Sequence, residues 1–205
     1  KAWRCHLKLI SDNFGQGELI PEAFAWGKIG EEGTVRSDNL NPHLAWSGVP
    51  EGTASFVLAC LDDDVPTQLD ARDLSGELPV SQPRRRFVHW VQPNCPASVR
   101  EIPAGALAEA KKRTPGFGDL GINDYSRGGR PQSGETGTGY DGPCPPFFDA
   151  RWHYYRFMVF ALDIEKLALP AEFTWQDVEV AMKGHVITSA ELVGRYTLNP
   201  RLAAE

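Results

Sequence analysis

Ser55-Phe56-Val57-Leu58-Ala59-Cys60-Leu61 runs straight into Asp62-Asp63-Asp64-Val65-Pro66, and that junction governs how the rest of the chain is read. Residues 55 to 62 are apolar at odd and even positions alike, which predicts a central strand covered on both sides. Three adjacent carboxylates repel one another, so burying all of them without partners would be costly. One low-cost arrangement sets a histidine beside one carboxylate, which holds the ring tautomer or keeps it protonated. Taken alone, the acidic run reads as an exposed turn shaped by Pro66, where a cis Val65–Pro66 bond would fit.

Working outward, residues 87 to 92, 153 to 163 and 185 to 198 also read as strands. They are rich in Val, Phe, Tyr and Ile and bounded by Gly, Pro or Asp. Asn41 to Pro50 reads as a short strand closed by a turn. One helix is well signalled: Thr174 and Asp177 form a capping box, Trp175, Val178 and Met182 share a face, and Gly184 supplies the left-handed stop. A shorter helix is expected over Gly105 to Lys112. Strand after strand with a late helix predicts a mainly β fold, an antiparallel β-sandwich with a few peripheral helices. The chain forms one domain over residues 1–205. Two polar stretches, 67–86 and 114–139, read as loop insertions that frame a site.

The 205 residues are enough to bury a substantial core. Sixteen prolines and twenty glycines favour a turn-rich β architecture over a helical one. A net charge of −6 argues against broad electrostatic binding of nucleic acid or anionic membrane. Arg84-Arg85-Arg86 reads as a solvated loop before a strand. No apolar run approaches the roughly 20 residues of a membrane span. The four cysteines, Cys5, Cys60, Cys95 and Cys144, form no CxxC pair. Reduced thiols and a cytoplasmic address are expected, or a periplasmic one where a leader has been removed.

The chemistry-bearing residues are few. His89 lies in the apolar strand Phe87-Val88-His89-Trp90-Val91. In His153-Tyr154-Tyr155, alternation puts the imidazole and the phenol of Tyr155 on one face. Gly142-Pro143-Cys144-Pro145-Pro146 is rigid and poor in N–H groups, which leaves those of Tyr140, Asp141 and Gly142 as candidate anion donors. Cys144 could act as a nucleophile, but no basic neighbour in sequence lowers its pKa, so it reads as a packing residue.

Together these motifs resemble the phosphatidylethanolamine-binding protein family, in its bacterial Raf-kinase-inhibitor-like branch. Ile20-Pro21, Asn41 to Pro50 and Gly52-Thr53 are similar to the family's N-terminal pattern. Asp62 to Pro66 resembles its Asp-Pro-Asp-x-Pro box, and Val88 to Val91 its His-Trp strand. Asn123-Asp124-Tyr125, Gly139 to Pro146, His153 to Tyr155 and Ala190 to Tyr196 follow in the family's order. The resemblance implies a pocket for phosphate-type head groups, built from Asp62, Asp64, Pro66, His89, Tyr140, Gly142, His153 and Tyr155. It implies no cofactor and no metal. Three departures stand out: Asp63 replaces a proline, Tyr154 replaces an arginine, and Phe147 to Trp152 is bulky and aromatic where the family has a Gly- and Lys-containing stretch.

The expected function is a non-enzymatic protein that binds a small anion such as phosphate or a phospholipid head group. Regulation of a kinase or protease partner and assembly as a homodimer stay open. One alternative is a metal-dependent enzyme using His89, His153 and Asp62 as a facial triad. Another is a protein-interaction module with a vestigial pocket, its contacts made by the loops and by Phe147, Phe148 and Trp152.

Overall fold

The structure, a computed structural model, describes residues 6–108, 116–126 and 136–205. Among these residues nine strands follow in chain order: β1 (Lys8–Ile10), β2 (Gly27–Gly30), β3 (Gly33–Arg36), β4 (Leu44–Ser47), β5 (Ser55–Pro66), β6 (Arg84–Pro96), β7 (Glu101–Ile102), β8 (His153–Leu162) and β9 (Val186–Tyr196). Helix α1 (Trp175–Met182) precedes β9, and the short α2 (Pro200–Ala203) closes the chain. The main sheet has the order β6-β5-β8-β9, with every neighbour antiparallel. A second antiparallel sheet, β1-β4-β7, lies across one face of it, and β2-β3 is a separate hairpin.

The two-faced apolar run explains this layering. Phe56, Leu58 and Cys60 of β5 enter the core shared with the second sheet, beside Leu9, Leu44, Trp46 and Ile102. Val57, Ala59 and Leu61 point the other way, into a core closed by Phe173, Trp175, Val178 and Met182. Each of these β5 side chains is essentially removed from water, worth about 1.5–3 kcal/mol for each large residue. The fold is therefore the expected antiparallel sandwich with a helix on its outer face. No helix among the described residues is long and apolar enough to cross a membrane.

Four expectations need correction. First, β5 does not stop at Asp62: it continues paired to Pro66, opposite Arg84 and Arg85. Second, the Val65–Pro66 bond is trans, because this segment is extended strand and not a tight turn. Third, Arg84-Arg85-Arg86 is the start of β6, and the Arg84 side chain is buried in an ion pair with Asp149. Fourth, residues 104–108 form turns where a helix over 105–112 was expected, and the rest of that stretch lies outside the described residues. Cys5 also lies outside them, and Cys60, Cys95 and Cys144 are free thiols.

Candidate functional site

Two bulges at the end of the main sheet build the site. On β6, Cys60 pairs with Trp90 and Leu61 with Val88, so His89 and Trp90 together oppose one residue of β5. Two consecutive side chains then face the same side, Trp90 into the inter-sheet core and His89 against Tyr155, with ring centroids 5.1 Å apart. On β5, Asp62 pairs with Phe87 and Val65 with Arg85, so Asp63 and Asp64 oppose Arg86. The Asp64 N–H donates to the Asp62 carboxylate at 2.7 Å, which holds that bulge.

The same bulge separates the three acids. Asp62 turns inward to His153. Asp63 faces outward to Arg86 and Arg156, and the Arg86 hydrogen bond does most to hold its carboxyl below the usual range. Asp64 accepts from the Tyr154 N–H at 2.9 Å and pairs with Arg151 at 3.1 Å. Asp64 thus takes its cation from Arg151, while the Tyr154 ring is exposed. All three acids have partners, so the exposed-turn reading does not hold.

Behind the site lies a buried chain of charges. His153 Nδ1 is 2.6 Å from Asp62 Oδ2, and its Nε2 is 2.7 Å from Asp149 Oδ2. Carboxylate oxygens only accept, so both ring nitrogens donate and the ring is an imidazolium. Burial opposes that charge, but the bonds to Asp149 and Asp62 outweigh it and push the His153 pKa up to about 9. Asp149 in turn takes two hydrogen bonds from Arg84, at 2.6 and 3.1 Å. Burial alone would raise its pKa, yet His153 and Arg84 hold it below the usual range.

His89 is held differently. Its Nδ1 lies 2.8 Å from the Asp141 carbonyl, and the Asp141 N–H returns a bond to the His89 carbonyl at 3.0 Å. The carbonyl can only accept, so the Nδ1–H donates and Nε2 keeps a lone pair when the ring is neutral. Burial pushes the His89 pKa down, only partly opposed by the Asp62 charge and the Asp141 carbonyl. The Asp141 carboxylate accepts from Asn39, Asn123 and the Gly137 N–H, locking the loop that carries it.

A cavity of roughly 760 Å³ opens over these groups, within the range of small-molecule pockets. Of the sequence-derived set, Asp62, His89, His153 and Tyr155 line it, whereas Asp64, Pro66, Tyr140 and Gly142 do not. Asp64 is occupied with Tyr154 and Arg151 beside the site, and Pro66 sits in the β5–β6 pairing. Tyr140 is a core residue whose hydroxyl donates to the Phe24 carbonyl at 2.6 Å. Gly142 packs against that same carbonyl, where a Cβ would come within 2.1 Å. Two of the three expected N–H donors are also spent: Asp141 donates to His89 and Gly142 to Asn39. The Tyr155 hydroxyl, by contrast, is buried with no hydrogen-bond partner among the described residues.

Several lining residues went unread in the sequence. Phe87, Asp124 and Tyr125 line the cavity, and Tyr125 stands edge-on to Phe87 and His89 at 5.0 and 5.6 Å. The Asn123-Asp124-Tyr125 motif was a signal for two of them. Asp149 was marked only by its place four residues before His153, and Arg84 was read only as part of a solvated basic run. Cys144 also lines the cavity, but burial pushes its thiol up to about 11, as suits a packing residue. Phe148 and Trp152 neither fill nor line the cavity: Arg72 covers the Phe148 ring and Arg195 the Trp152 ring, at 3.4 and 4.4 Å. No group of three or more His, Cys, Asp or Glu among the described residues is placed to hold a metal ion. A facial triad is disfavoured by the donor set itself, since His153 has a proton committed at both nitrogens.

Comparison with known proteins agrees with the fold. The family model described as phosphatidylethanolamine-binding protein matches residues 10–197. A UPF0098 protein of Aquifex aeolicus is 33% identical over 192 residues, covering 93% of this chain and 88% of its own. The UPF0098 protein YbhB of Escherichia coli is 33% identical over 191 residues, covering 93% of this chain and all of its own length, 100%. Among solved structures, YbcL of Escherichia coli superposes with a TM-score of 0.69 at 28% identity, covering 94% of this chain and 98% of that one.

Proposed function

The chain belongs to the phosphatidylethanolamine-binding protein family, and from that premise we propose that it is a ligand-binding protein whose pocket holds a small anionic group without transforming it. The observation that carries this reading is the Tyr155 hydroxyl, buried with no hydrogen-bond partner among the described residues, beside His89 in a cavity of ligand size. An orphaned buried hydroxyl costs about 1–3 kcal/mol, and an anion oxygen relieves that cost with a charge-assisted bond. The His153 imidazolium contributes positive charge from behind, but both its N–H groups stay on carboxylates. No activated nucleophile accompanies these groups: Cys144 is a protonated thiol, and burial pushes the Tyr155 phenol well above its ordinary pKa.

Calorimetric titration of inorganic phosphate and phosphoethanolamine tests the reading. Wild type should saturate, and Tyr155→Phe should weaken binding roughly 10- to 100-fold, the worth of one hydrogen bond to a charged group. Unsaturable heats in wild type, or equal affinity in the variant, would remove the pocket from the account. A role as kinase or protease regulator would add a protein contact at the cavity mouth, where Leu69 lines the opening and is exposed.

A further inference from the structure

The polar groups that face the cavity differ in what they have left to offer a ligand. His153 has both nitrogens on carboxylates. Asp62 accepts from His153 and from the Asp64 N–H, and Asp124 accepts from the Val88 N–H at 2.7 Å. The Tyr125 hydroxyl donates to the Gly142 carbonyl at 2.6 Å. Arg85 stands exposed where β6 borders the cavity. Beside these partly used carboxylates, two groups deep in the cavity have no hydrogen bond at all among the described residues: a strong donor, the Tyr155 hydroxyl, and a neutral acceptor, the Nε2 lone pair of His89.

We propose that the pocket selects a phosphate monoester carrying one proton, its P–OH donating to His89 Nε2 and a second phosphate oxygen accepting from Tyr155, over a phosphodiester. This rests on the anion-pocket reading above and sharpens its ligand class. A diester has no P–OH, so it would set an anionic oxygen against the His89 lone pair unless the ring were protonated. The surroundings decide how readily that happens. Desolvation and the His153 charge oppose a proton on His89, the Asp62 and Asp141 charges favour it, and the balance lies below the ordinary histidine value. Tyr125, Tyr155 and Cys144 stay neutral around it, since burial raises all three. A carboxylate ligand is less suited, because near pH 7 holding its proton costs roughly 500-fold in affinity, against about tenfold for a phosphate monoester. Phosphate alone would leave most of the roughly 760 Å³ empty. Val65, Leu69, Phe87, Pro145 and Pro146 fit an apolar ester group.

Hexyl phosphate and methyl hexyl phosphate form a matched pair for the test, titrated at pH 7.5 in two buffers of different ionisation heat. The monoester should bind at least roughly tenfold tighter and take up about one proton, read from the buffer dependence of the heat. His89→Phe should abolish both the preference and the proton uptake. If that variant does not fold, the wild-type titrations decide alone. Equal or tighter diester binding, or monoester binding without proton uptake, overturns the inference and leaves the pocket reading intact. Failure of every phosphate compound to bind removes both. Vesicles containing phosphatidic acid identify the source: displacement of hexyl phosphate points to a lipid monoester, no displacement to a soluble one, and either supports the monoester class.

Discussion

His153 holds its charge because Asp62 and Asp149 grip it from both sides, and that arrangement has a readable pH dependence. Its folded pKa of about 9 lies above the ordinary 6.5. The stabilisation is therefore complete below about pH 6.5 and is lost as pH rises through 9, with a magnitude on the order of 3 kcal/mol. Asp149 has the opposite sign, its stabilisation present above its ordinary pKa and lost as pH falls further. Urea denaturation should thus show the wild type more stable at pH 6 than at pH 9. Asp149→Asn leaves Arg84 buried without its carboxylate, at a cost of about 3–5 kcal/mol at pH 6. The cost should be smaller at pH 9, where His153 has already lost much of its proton. Equal losses at both pH values would mean that shape, not charge, is what Asp149 supplies.

At the scale of the elements, the site depends on irregularities in β5 and β6. The alternation of a regular strand would turn His89 and Trp90 to opposite faces, and the bulge is what gives them one. The loop carrying Asp141 then closes against His89 and depends on Gly142, whose backbone meets the Phe24 carbonyl too closely for any side chain. Gly142→Ala should cost more than about 1–3 kcal/mol, because backbone must shift, and it should weaken phosphate binding although Gly142 does not line the cavity. Thermal unfolding and the phosphate titration check this together, and a variant with wild-type values in both would show the contact to be slack. Sequence periodicity could place His89 in a strand, but a bulge leaves no mark in periodicity. His153 and Tyr155 were readable on one face because β8 keeps regular register with β9 through both, and with β5 as far as Tyr155.

For the whole molecule, the segment between β5 and β6 is structural as well as peripheral. Leu78 is fully buried, its N–H donates to the Phe148 carbonyl at 2.8 Å, and its carbonyl accepts from Ala150 at 3.0 Å. Glu77 continues the tie by ion-pairing with Arg201 of α2. Through Leu78 this loop brackets Asp149 and so steadies the carboxylate behind His153. Leu78→Ala should cost about 2–5 kcal/mol and lower the alkaline midpoint of unfolding, whereas Leu74→Ala, at a fully exposed site on the same loop, should change neither measurably. The sequence by itself determined the layered β fold, since an apolar run with two buried faces needs cover on both, and its resemblance to the family implied that Asp62, His89, His153 and Tyr155 form one group. Only the tertiary structure decided what each of them does. Hydrogen-bond capacity is spent on partners that only folding brings together, so Asp62 and Asp149 claim both nitrogens of His153, Asp141 claims one nitrogen of His89, and Tyr155 is left with no hydrogen-bond partner for its hydroxyl among the described residues.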